Sequence, residues 1–72
     1  MPKTIIYEEP VKLIREKEYE KAQEALQAIL DENPDDGWAH MYMGITYARM
    51  NKRMYAIAEL EEAARLKESA IS

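Results

Sequence analysis

Few side chains in this 72-residue chain have the type and spacing to do chemistry. His40 is the sole histidine, the one group whose ordinary pKa suits proton transfer near neutrality. No Ser or Cys nucleophile stands at a usable spacing from it, and its place in the helical periodicity is that of a packed residue. Asp31, Glu32, Asp35 and Asp36 are dense enough to draw a divalent cation, but they lack the alternating ligands and central glycine of a calcium loop. Turn formation and helix capping account for them better. Glu8 and Glu9 likewise suit a helix N-terminus before they suit an acid–base pair. Cysteine is absent, which removes disulfides, thiolate nucleophiles and thiolate metal sites together. The chemistry therefore points away from an enzyme, with no cofactor and no metal, and toward recognition.

Charge and hydropathy narrow what is recognised. Ten Lys and Arg against fourteen Asp and Glu give a net charge of -4, the wrong sign for a phosphate backbone, and the basic residues are scattered. Nucleic acid is thus not an expected partner. No apolar run approaches the roughly 20 residues that cross a bilayer, and Met1 to Tyr7 lacks the apolar core of a signal peptide, so no membrane association is expected. The missing cysteines leave a reducing cytoplasm as the default location. A chain this short is expected to form one domain over residues 1–72, with a core barely able to offset chain entropy and stability that is marginal or borrowed from a partner.

The elements that must position any binding residues are helices. Phe is absent, Gly occurs only at 37 and 44, Pro only at 2, 10 and 34, and helix formers dominate. Pro34, with Asn33, Asp35, Asp36 and Gly37, marks the clearest break, ending one helix near Glu32 and starting another near Gly37. Upstream, Tyr19, Ala22, Ala25, Leu26, Ile29 and Leu30 recur at helical spacing. Val11, Leu13 and Ile14 make a shorter apolar cluster, and Pro10 suits the first turn of a helix, so the first helix is expected to start at about Glu8 or Glu9. Residues 1–7 read equally as a helical turn or as an extended arm. A third helix spans Gly37 to Met50, and a fourth runs from Met54 to about Lys67 with Ile57, Leu60, Ala63, Ala64 and Leu66 on its apolar side. Glu61 and Arg65 stand four apart in the favourable order and read as solvation.

Shifting the chain by 34 positions aligns Ala22 with Ala56, Leu26 with Leu60, Leu13 with Tyr47 and Arg15 with Arg49. In the second unit, His40, Met43, Gly44, Tyr47, Ala56, Leu60, Ala63 and Leu66 form a bulky, aliphatic, small, aromatic, small, large, small and aliphatic series; in the first, Tyr19, Ala22, Leu26, Leu30 and Pro34 match the corresponding pattern, with twelve residues from the small Ala22 to the closing proline. On these residues the chain resembles the tetratricopeptide repeat family over nearly its whole length. The resemblance implies an all-α fold of two helix-turn-helix repeats, about four helices, forming a short right-handed α-solenoid, with the first repeat at about 3–36 and the second at about 37–70. Glu9 and Pro10 depart from the family's aliphatic and small residues, so the opening helix is expected to be short or displaced. Ile29 and Glu68 also depart from it. Independently of the name, small residues at Gly44, Ala56 and Ala63 let helix axes approach closely while Tyr47 and Leu60 fill the grooves.

The third helix has two opposed apolar faces. His40, Met43, Gly44, Tyr47 and Met50 form the one that repeat packing consumes. Trp38, Met41, Tyr42 and Ile45, with Arg49 at the far end, form the other. The resemblance puts this second face on a concave surface that holds peptides or partner helices, with Tyr7, Val11, Ile14 and Arg15 as the matching set from the first unit. Trp, Tyr, Met and Arg together are enriched at interface hot spots, so the expected function is non-enzymatic binding of a protein or peptide partner, as an apolar peptide or amphipathic helix. The plainer alternative is that Trp38 and Met41 pack on the Met1 to Tyr7 arm. Arg15 and Arg49 suit a carboxylate, but both also suit the last turn of a helix. Val11, Tyr42 and Ile45 depart from the set with which some family members clamp a terminal carboxylate. A second function is self-association, as a homodimer or higher homo-oligomer through an uncapped terminal repeat at Ala56, Ile57, Leu60, Ala64 and Ile71. Against it, Glu59, Glu61, Glu62, Arg65 and Lys67 could solvate the fourth helix as its own cap.

Overall fold

The structure is a computed structural model that describes residues 5–71, with side chains described for residues 6–67. Four helices follow one another: α1 (Ile5–Arg15), α2 (Tyr19–Glu32), α3 (Gly37–Arg49) and α4 (Arg53–Ile71). No strand occurs among the described residues, and the fold is the all-α helical repeat anticipated from the spacing. Each helix packs on its neighbours along the chain: α1 on α2, α2 on α3, and α3 most extensively on α4, with a lighter contact from α1 to α3. The core lies where α3 seats on the first hairpin, and joins Tyr7, Leu26, Leu30, Ala39 and Met43, flanked by Val11, Ile29, Tyr42 and Tyr47.

The repeat is written into the backbone as well as the side chains. Lys17 and Asn51, 34 positions apart, both adopt left-handed conformations with φ of 64° and 65°. Each ends the first helix of its hairpin with the same bonds: Glu18 N–H to the Leu13 carbonyl and Lys52 N–H to the Tyr47 carbonyl, both 2.8 Å. Such a six-residue closure satisfies carbonyls the helix leaves open. Asn tolerates this conformation better than Lys does.

Pro34 and its acidic neighbours close the other turn. Asp36 caps α3 by accepting from Ala39 N–H at 3.1 Å, and the Tyr7 hydroxyl donates to the same carboxylate at 2.6–2.7 Å. The opening turn of α3 is thereby tied to α1.

The sequence reading of α1 needs correction. The helix is already formed at Ile5, so Pro10 lies inside it rather than in its first turn. Pro10 removes the bond that its N–H would have made to the Ile6 carbonyl, and it is fully buried. It stands 34 positions before Gly44, where the second hairpin makes its closest approach. At Gly44 an added Cβ would meet Leu60 Cγ at 2.7 Å and the Ala56 carbonyl at 3.3 Å, so the absence of a side chain is what admits α4 there. On α4, Arg65 pairs with Glu62, at 2.5 Å, rather than with Glu61.

Candidate functional site

The residues singled out from the sequence fall in the interior, in the grooves between helices, or outside both. Tyr7, 5% exposed, and Ile14, 7% exposed, belong mainly to the interior; Tyr7 still lines two of the grooves described below, and Ile14 none. The Tyr7 ring packs on Tyr42 with centroids 5.6 Å apart, and burial together with the Asp36 carboxylate pushes its hydroxyl pKa well up, so it remains a donor. Ala56 is buried under the α3–α4 contact and leaves the self-association set for the same reason. The resemblance put Tyr7 and Ile14 on a binding face, but Tyr7 is packed against Tyr42 of α3 and Ile14 is buried.

A first groove, about 330 Å³, runs between α1 and α3 and is lined by Tyr7, Glu8, Val11, Lys12, Arg15 and Tyr42. It unites part of the first-unit set with Tyr42 of the second. Its exposed members are charged.

A second groove of about 530 Å³ runs between α3 and α4. Trp38 and Met41 stand on one side, with Leu60, Ala63, Ala64 and Leu66 opposite and Asp35 and Lys67 at the rim. Residues assigned from the sequence to two different functions thus share one surface: Trp38 and Met41 read as partner-binding, Leu60 and Ala64 as self-associating. Trp38 also borders a third groove, about 530 Å³, with Ile6, Ala28, Ile29 and the turn between α2 and α3. The indole forms the ridge between these two and stays 59% exposed, so the described part of the N-terminal segment does not cover it. Met1 to Thr4 of the suggested arm, and the Ile71 side chain, lie outside the described residues.

Ile45 is half-buried and Arg49 exposed, and neither lines these grooves. Ile57 is exposed on α4 and lines none of the three grooves. The large apolar side chains left most exposed are Met54, Tyr55, Trp38, Ile6, Ile57 and Leu60; Trp38 and Leu60 meet in the α3–α4 groove, and Trp38 and Ile6 in the third.

His40 is not a free catalytic imidazole. Its Nδ1 lies 2.7 Å from Glu59 Oε1 and its Nε2 lies 2.8 Å from the Pro34 carbonyl, so the ring links the α2–α3 turn to α4. Burial disfavours its charge, but the Glu59 carboxylate and the Pro34 carbonyl outweigh that, and its pKa is raised. Sequence periodicity located His40 in the packing, yet nothing in the spacing identified Glu59 as its partner. Thr46 was missed altogether. It is fully buried, its hydroxyl bonded 2.8 Å from the Tyr42 carbonyl one turn back, which lets a polar residue occupy the core.

Among the described residues, no cluster of three or more His, Asp or Glu side chains is placed to hold a metal ion, and no helix is long and apolar enough to cross a membrane. Comparison with known proteins yields one family: the model for the tetratricopeptide repeat matches residues 13–69. Neither a curated protein nor a solved structure matches the chain.

Proposed function

This chain belongs to the tetratricopeptide repeat family, whose members mediate protein–protein interaction, and we propose that it is a non-enzymatic module that binds a partner protein through an apolar peptide or amphipathic helix. The observation that supports this best is Trp38, more than half exposed on the ridge between two apolar grooves. An indole left in water forgoes a large burial gain, and Trp is the residue type most concentrated among interface anchors. The charged α1–α3 groove, with Val11, Arg15 and Tyr42, is the weaker candidate; Ile45 and Arg49 lie at the edge of the same face.

The test uses the full chain, immobilised and offered a displayed library of random peptides. Enriched sequences should share apolar residues at helical spacing and lose binding to Trp38→Ala while that variant keeps its helical circular dichroism. Enrichment indifferent to Trp38, or none, counts against the reading.

Self-association is the second reading, favoured by Ile57 and Leu60, which remain 42% and 41% exposed on the terminal helix. Ala64 and, outside the described side chains, Ile71 complete that set. Sedimentation equilibrium across a wide concentration range separates the two. A mass of two or more chains supports assembly, and a monomer leaves the Trp38 surface free for a foreign segment.

A further inference from the structure

We infer that the groove between α3 and α4 receives a helix from a partner protein, seated as α3 is seated on the first hairpin, with large apolar residues at two positions four apart; α1 of a second copy is not that helix. This rests on the binding function proposed above and names the kind of partner.

The groove continues an interface that the chain already contains. In the first repeat, Tyr7, Leu26 and Leu30, with Ile29 at the margin, receive Ala39 and Met43 of α3. Moved 34 positions along, those four become Met41, Leu60, Ala64 and Ala63, all of which line the groove. The hairpins turn with the same hydrogen bonds and a left-handed residue at the same position, Lys17 and Asn51, so these side chains come from corresponding backbone positions. A surface built like the seat of α3 fits the same kind of object.

Three differences specify the occupant. Leu30 and Ile29 are replaced by Ala64 and Ala63, which makes the new seat deeper close to where α3 supplies only Ala39. Antiparallel helices joined by a short turn meet first at the residues flanking that turn, here Leu30 and Ala39, so the incoming helix needs a larger side chain at the place of Ala39 to avoid an unfilled void. Tyr7 is replaced by Met41, which cannot donate to a capping carboxylate as Tyr7 does to Asp36. Gln23, which donates to the Tyr47 hydroxyl at 3.3 Å, is replaced by exposed Ile57. Two polar contacts thus give way to apolar surface, and the occupant should be apolar along more of its length than α3 is.

A second copy stacked head to tail would present α1 to this groove. In α1 the positions corresponding to Ala39, Met43 and Thr46 are Ile5, Glu9 and Lys12, and Glu9 and Lys12 are exposed to solvent. Seating them against Met41 and Leu60 would strip water from both charges over apolar side chains, the groove's own charges, Asp35 and Lys67, standing at its rim. Charge on α1 thus disfavours stacking of a second copy on this groove.

The experiment titrates the full chain with synthetic peptides and reads the fluorescence of Trp38. One peptide carries residues 37–50 with Trp38→Gln, so that the chain's own indole is the only reporter; a second adds Ala39→Leu; a third carries residues 5–16. The Ala39→Leu peptide should bind about tenfold or more tighter than its parent, since it buries several further carbons. The residues 5–16 peptide should not bind, and Ala64→Arg in the chain should abolish binding without lowering the melting temperature. Equal affinity for the first two peptides, comparable binding of the third, or binding that persists in Ala64→Arg would each overturn the inference. Backbone amide shifts separate the two levels of failure. Perturbation at Val11 and Tyr42 but not at Ala64 would remove this seat and leave the interaction function standing, whereas a chain already dimeric through Leu60 would remove both.

Discussion

Leu26 and Leu60 occupy the same place in the two repeats, yet their surroundings differ sharply. Leu26 is fully buried beneath α3, while Leu60 keeps 41% of its surface exposed because nothing described lies over α4 as α3 lies over α2. Identical residues at identical helical positions therefore differ in energetic weight for a reason that belongs to the array and not to the repeat. A hairpin of this kind cannot bury its second face alone, so α4, with nothing described over it, keeps an unsatisfied surface.

The sharpest way to break this comparison is to truncate both leucines. Leu26→Ala should cost about 2–5 kcal/mol, since the cavity is enclosed and cannot fully collapse. That approaches the entire stability of so small a domain, and the variant should be largely unfolded. Leu60→Ala, which gives up half-exposed surface, should cost only about 1 kcal/mol. Urea unfolding monitored by circular dichroism measures both. Similar losses at the two sites would mean that Leu60 is covered in solution, which a second copy of the chain would explain.

The contact between α3 and α4 gives the next test. Ala56→Leu places a large side chain where helix axes approach closely and should cost about 1–3 kcal/mol by overpacking. Gly44→Ala meets the same contact, but it also gains about 1 kcal/mol of helix propensity, so its net loss should be smaller, about 1 kcal/mol. An unchanged melting temperature in Ala56→Leu would contradict the close approach. The first hairpin manages the corresponding position with buried Pro10, so the repeats agree in needing a residue that projects little there and differ in how they supply it.

These contrasts also explain what the sequence made legible. The four helices could be read because Pro34, Asp36 and the small residues at repeat spacing act locally, within a turn or two. The start of α1 could not, because Pro10 suits a first turn on local grounds and only its burial against the rest of the fold retains it inside a helix. Tyr7 read as a surface residue for the same reason: its ring is claimed by Tyr42 and its hydroxyl by Asp36, 29 residues away. The grooves were half legible. Trp38 and Met41 lie on one helix and Leu60 and Ala64 on another, and helical periodicity assigns faces within a helix but does not tell which faces of two helices border the same space.

His40 gives the smallest effect and a difference of kind between the repeats. Its counterpart 34 positions earlier is Ile6, exposed and apolar, so only the second repeat ties its turn to its closing helix through a titratable ring. Glu59 Oε1 and the Pro34 carbonyl both accept, and a neutral imidazole donates from one nitrogen only. The imidazolium satisfies both, and although burial opposes its charge, these acceptors hold the pKa above its ordinary value. A raised folded-state pKa means that the folded chain binds the proton more tightly than the unfolded one. The contribution is therefore complete below the unfolded value near 6.5 and is lost as pH rises through the higher folded value. The melting temperature should fall as pH rises above about 6.5, and His40→Gln should remove that slope, because the amide keeps some hydrogen bonding without titrating in this range. A slope that survives in His40→Gln would transfer the pH dependence to another group and leave the two repeats alike in this respect.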